Sequence, residues 1–155
     1  MVEPAEVRLL AGRCQCGVVR YTVPDAFRYA LNCHCSDCRR VTGAAFKPLA
    51  GIERAKVSFT SGADRLKTIG VPDACNLRCE ACGSLLMSVV REGVFVHVAM
   101  GSLTDAPTIR PSAHVFVGSK APWFTITDDL PQFDGHAGAS QPKFRESLAQ
   151  VPTGQ

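Results

Sequence analysis

The chain has 155 residues, a formal net charge of +3 and 46% hydrophobic residues, enough for one compact domain with its own core and unlike a disordered chain. Its basic residues are scattered, with only Arg39 and Arg40 adjacent, so no stripe of charge follows a phosphate backbone and nucleic acid is not an expected partner. Met1-Val2-Glu3-Pro4-Ala5-Glu6 lacks the basic start and apolar run of a signal peptide, and no apolar run reaches the roughly 18 residues of a membrane span. The expectation is a cytoplasmic protein with no membrane partner, whose eight cysteines are reduced and read as metal ligands rather than as four disulfides.

In chain order, residues 1–10 read as a flexible lead-in. Val19-Arg20-Tyr21-Thr22-Val23 alternates as a strand and stops at Pro24-Asp25. A second strand is expected over 27–32. Residues 36–42 predict a short helical turn capped by Ser36 or Asp37 and closed by Gly43. Further strands are expected over 46–50, 57–60, 66–69, 85–90, 94–99 and 114–117, with Arg91-Glu92-Gly93 turning the chain between two apolar runs. No long stretch has helical periodicity, so the class is mainly β and antiparallel, with one domain over 11–134. The tail over 135–155, rich in Gly, Ser, Gln and Pro, is expected to be disordered.

Seven cysteines fall in three tight clusters: Cys14-x-Cys16, Cys33-x-Cys35-x-x-Cys38 and Cys79-x-x-Cys82. Neighbours this close make strained disulfides but converge readily on one ion. Cys79-x-x-Cys82-Gly83 has the form of a zinc knuckle, and Cys14-x-Cys16-Gly17 supplies a second half, giving a closed four-thiolate site; two unrelated thiol pairs are the alternative. The central cluster then keeps three thiolates, Cys33, Cys35 and Cys38. Three protein ligands with one exchangeable position is the arrangement of catalytic zinc. A second closed site completed by Cys75 or a histidine, or a metal-free redox cluster, are the other readings.

Three thiolates around a divalent zinc leave one net negative charge, which favours thiol and aldehyde chemistry over hydrolysis. His34, between two cysteines of an extended segment, should face away from them and be held by hydrogen bonds. Cys75 reads as a buried thiol and His97 as a core or rim histidine. Trp123 reads as a core anchor, and Arg39 and Arg40 as surface charges or partners for a carboxylate.

Gly12-Arg13-Cys14-x-Cys16-Gly17, Cys33-His34-Cys35-x-x-Cys38-Arg39 and Cys79-x-x-Cys82-Gly83 resemble the glutathione-dependent formaldehyde-activating enzyme (GFA) and centromere protein V superfamily. Gly43-Ala44-Ala45-Phe46, Gly101-Ser102-Leu103-Thr104-Asp105, Ala113-His114-Val115 and Pro122-Trp123 extend the likeness. The resemblance implies a small antiparallel β-tent stapled by structural zinc, with short helical turns. It also implies two zinc ions per chain, a structural one at Cys14, Cys16, Cys79 and Cys82 and a catalytic one at Cys33, Cys35 and Cys38. The implied activity is that of a carbon–sulfur lyase joining glutathione, or another small thiol, to formaldehyde or a related small aldehyde. His114, within a shared motif, could line the site. The competing reading is a non-enzymatic zinc-stabilised β module that binds a partner protein or carries a thiol. A homodimer is compatible with either.

Overall fold

Short segments broken by glycine, proline and aspartate leave little room for helix, and the structure, a computed structural model that describes residues 2–137, is mainly β. The strands are β1 (Leu9–Arg13), β2 (Arg20–Pro24), β3 (Tyr29–Cys33), β4 (Lys47–Glu53), β5 (Ser58–Ser61), β6 (Leu66–Val71), β7 (Ala74–Cys79), β8 (Leu85–Val90), β9 (Phe95–Ala99) and β10 (His114–Val115). One α-helix, α1 (Ser36–Thr42), and a few single 3-10 turns complete the described residues. The mainly β class, the small antiparallel sheets and the short helices are as expected. β1 and β7 are additions to the expected strands. Most of the expected tail, from residue 138 on, lies outside the described residues.

The described residues form two compact units, one drawn from 2–30 and 48–110, the other from 31–47 and 111–137. In the first, β1, β2 and β5 form an antiparallel sheet in that order, with Leu10 opposite Val23 and Gly12 opposite Tyr21. The strands β4, β9, β8, β7 and β6 are also antiparallel, in that order. Inward residues of both sets, Leu10, Val19, Tyr21 and Val23 with Ile52, Leu86, Met87, Val89, Val96 and Val98, make one apolar core that also buries Cys14 and Cys79. The expected turn between β8 and β9 places Arg91 and Glu92 at φ of 51° and 56°, unusual for residues with side chains. The Arg91 guanidinium lies 5.2 Å from the Tyr29 ring centre and 4.8 Å from that of Phe95, cation–π contacts that offset the strain.

Gly12 shows how tightly this core is set. A Cβ there would lie 2.2 Å from the Tyr21 ring. Tyr21 cannot retreat, because it is fully buried and its hydroxyl is 2.6 Å from the Ser102 hydroxyl. Gly12→Ala is therefore expected to cost about 1–3 kcal/mol in denaturant titration, the usual penalty for overpacking.

The second unit has a different interior. β10 runs parallel to the end of β3, pairing His114 with Asn32 and Val115 with Cys33. Asn32, His34, Lys47 and His114 are all buried here, beside Ala113, Val115, Ala121 and Ile126. α1 occupies the predicted residues and ends on Gly43 at φ 63°, but its N-cap is Cys35 rather than Ser36 or Asp37: the Cys35 sulfur accepts the Cys38 N–H at 3.2 Å. Trp123, expected in the core, is 70% exposed.

Candidate metal centres and their surroundings

The two halves of the first cluster are built alike. Cys14 follows β1, and the chain turns through Gly17 at φ 79°, whose N–H donates to the Cys14 carbonyl. Cys79 ends β7, and the chain turns through Gly83, also at φ 79°, whose N–H donates to the Cys79 carbonyl. Glycine tolerates this left-handed conformation without the steric cost of a side chain. The Gln15 N–H donates to Ser84 Oγ at 3.0 Å and ties one knuckle to the other.

The ligand atoms of Cys14, Cys16, Cys79 and Cys82 all lie within 4.8 Å of one another. Cys14 and Cys16 sulfurs are 3.6 Å apart, and Cys16 and Cys79 sulfurs 3.9 Å. Tetrahedral zinc with Zn–S bonds near 2.3 Å requires sulfurs about 3.8 Å apart, so the arrangement fits a four-thiolate ion. Hydrogen bonds favour the thiolate form at Cys14 and Cys82, while desolvation and the three neighbouring cysteines push the Cys16 thiol up to about 11. The Val19 N–H donates to Cys14 Sγ at 3.3 Å, and the Ser84 hydroxyl beside Cys82, followed by backbone N–H groups, brings the Cys82 pKa down to about 5.

The second cluster lies in the other unit. Cys33 ends β3, Cys35 caps α1 and Cys38 sits in the first turn of that helix; their three ligand atoms also fall within 4.8 Å of one another. Among the described residues, no histidine, carboxylate or further cysteine completes this group. Cys75, weighed as a fourth ligand, is in the first unit, where its thiol faces the Pro72 carbonyl at 3.8 Å. Hydrogen bonding from the Cys38 thiol holds the Cys33 pKa below its ordinary value, and the same bond raises that of Cys38. Lys47 is buried and its positive charge acts on Cys38, favouring a thiolate there. Three sulfurs converge, and the donor set fits a soft ion held from one side.

His34 is buried and hydrogen-bonded, as its alternation implied, but to an unforeseen partner. Its Nε2 lies 2.7 Å from His114 Nδ1, and His114 Nε2 lies 2.9 Å from Asp128 Oδ2. Phe46 and Phe124 pack on the His34 ring at centroid distances of 5.0 and 6.2 Å. Lys120 Nζ donates to the Phe124 carbonyl and holds that turn. Burial, reinforced by the charges of His114, Lys120 and Arg39, pushes the His34 pKa down to about 4 and leaves the ring neutral near pH 7. Of the other residues singled out, His97 is a rim residue of β9, 2.7 Å from the Tyr29 hydroxyl. Arg40 is exposed and Arg39 half-buried. Nothing in Thr127-Asp128-Asp129 marks Asp128 in advance, because its partner is brought by the turn over 116–127.

A mainly β chain with one group of four and one group of three convergent cysteines is a protein whose clusters can hold metal ions through sulfur. The family model described as glutathione-dependent formaldehyde-activating enzyme matches residues 9–119, and the chain belongs to that family. A crystal structure of a Rhodobacter sphaeroides protein shares the fold, with a TM-score of 0.52 and 24% identity over 64% of this chain and 92% of that one. No curated protein matches the chain. Family membership supports a role of the glutathione-dependent, formaldehyde-activating type. No helix among the described residues is long and apolar enough to cross a membrane.

Proposed function

We propose that the chain is a zinc-dependent carbon–sulfur lyase that forms and cleaves the adduct of a small thiol with a small aldehyde, of the S-hydroxymethylglutathione type. The observation that carries this reading is the unequal pair of clusters: four convergent sulfurs in one, three in the other with no fourth ligand atom grouped with them among the described residues. Cys14, Cys16, Cys79 and Cys82 would hold a structural zinc, and Cys33, Cys35 and Cys38 a catalytic one.

Bound there, zinc would supply a Lewis acid for a thiol sulfur or a carbonyl oxygen. In the reaction a sulfur–carbon bond forms as the carbonyl π bond breaks, and the thiol proton ends on the former carbonyl oxygen. The chain's own residues set the conditions. Buried Lys47 offsets the negative charge of three thiolates, and the Cys38 N–H bonded to Cys35 sulfur moderates the charge on that ligand. Neutral His34 adds no further charge to the segment.

Glutathione titrated into the cobalt-substituted chain tests the reading. Two ions per chain are expected, with the sulfur-to-cobalt absorption of one responding to glutathione and the other inert. Two inert ions, or no response at millimolar glutathione, would reject the thiol-binding role.

A further inference from the structure

Two of the three sulfurs of the open cluster flank a single residue, His34, so whatever holds that ring holds both of their backbone positions. The ring is gripped at one edge by a chain of hydrogen bonds leading to the surface: His34 Nε2 to His114 Nδ1 at 2.7 Å, then His114 Nε2 to Asp128 Oδ2 at 2.9 Å. Both rings are buried, whereas the Asp128 side chain is 48% exposed. The backbone repeats the connection, since the His34 N–H donates to the Val115 carbonyl at 2.9 Å. We propose that Asp128 is a positioning residue for the open cluster, fixing through His114 the ring of His34 and with it the peptide that carries Cys33 and Cys35. The inference rests on reading that cluster as an open metal site.

The chain of bonds also has a direction. A carboxylate only accepts, so with both rings neutral His114 carries its proton on Nε2 and offers a lone pair at Nδ1. His34 must then donate from Nε2, which leaves a lone pair on its Nδ1, a buried atom with no hydrogen-bond partner. In Asp128→Asn the amide oxygen that accepts the Leu130 N–H at 3.0 Å takes the Oδ1 position, 3.1 Å from His114 Nε2, and can still accept that ring's proton. The oxygen lost in that substitution is Oδ2, the nearer contact at 2.9 Å, so the order of the chain should be kept while its outer end loosens.

The test compares the full chain with Asp128→Ala, Asp128→Asn and Asp128→Glu. Cobalt affinity at each cluster is measured by competition with a chelator, and histidine tautomers are read from long-range proton–nitrogen correlation spectra well above the ordinary histidine pKa. Asp128→Ala should weaken the more labile ion by about 10-fold or more, the scale of outer-shell effects on metal sites. The inert ion and the melting temperature should not change. Asp128→Glu should restore most of the loss. Asp128→Asn should lose less affinity than Asp128→Ala and keep both rings protonated on Nε2, whereas Asp128→Ala should leave His114 without a fixed tautomer, a signature that a merely structural side chain would not produce. Two ions in the parent chain with unchanged affinity in Asp128→Ala would overturn the positioning role alone. A parent chain that binds a single ion, at the four-cysteine cluster, would overturn it together with the open-site reading.

Discussion

Cys79→Ala is expected to leave the first unit unfolded and the chain insoluble or without a cooperative thermal transition. Cys79 ends β7, is buried in the apolar core and belongs to the cluster that joins the β1 knuckle to the β7–β8 knuckle. Structural zinc contributes about 10–16 kcal/mol in zinc-finger peptides. That equals or exceeds the roughly 5–15 kcal/mol net stability of a whole domain. The substitution also leaves three thiols without their fourth partner. Circular dichroism and metal content of the soluble fraction check it, and a soluble Cys79→Ala chain that melts cooperatively would refute the structural role.

Cys38→Ser should have the opposite profile. Cys38 lies on a short helix in the second unit, outside the apolar core, and serine preserves its size and its backbone bond to the Cys35 sulfur. A hydroxyl is a poor substitute for a thiolate toward zinc, so the chain should lose one of two ions and keep the other. The main melting transition should remain. The response to glutathione and any thiol–aldehyde activity should fall by at least about 100-fold, beyond the range of outer-shell changes. Retention of both ions, or of activity, would remove Cys38 from the site.

What could be read in the sequence follows from how local each feature is. The x-Gly knuckles after Cys16 and Cys82 are set by their own few residues, and both adopt the left-handed glycine that their spacing implies. The helical turn ending at Gly43 is equally local. β1 is not legible locally, because Leu9-Leu10-Ala11 shows no polar alternation, although Leu9 is 62% exposed and Leu10 fully buried once β2 lies beside it. β7 did carry a signal: Cys75, Leu77 and Cys79 point inward between Asn76 and Arg78. Serine and aspartate are the usual caps and stand at the start of α1, but a sulfur of the cluster, that of Cys35, does the task here. Residue type alone puts Trp123 in the core, but exposure is decided by neighbours brought from far along the chain. The same holds for Asp128, which meets His114 across 14 residues, and for His114, which meets His34 across 80.

The polar interior of the second unit bears on how fast its metal could exchange. Its buried side chains include two histidines, an asparagine and a lysine, whereas the extended apolar cluster belongs wholly to the first unit. Hydrophobic burial resists opening in proportion to apolar area. A unit held more by hydrogen bonds and sulfur ligands can breathe at a lower free energy than global unfolding requires. An ion at Cys33, Cys35 and Cys38 would then come and go on the timescale of that local breathing. An ion at the four-cysteine cluster, where Cys14 and Cys79 are buried in the apolar core and Cys16 is exposed, would leave more slowly, because freeing the two buried ligands disturbs that core. One chain would thus keep two metal lifetimes, set by the kind of interior each ion shares.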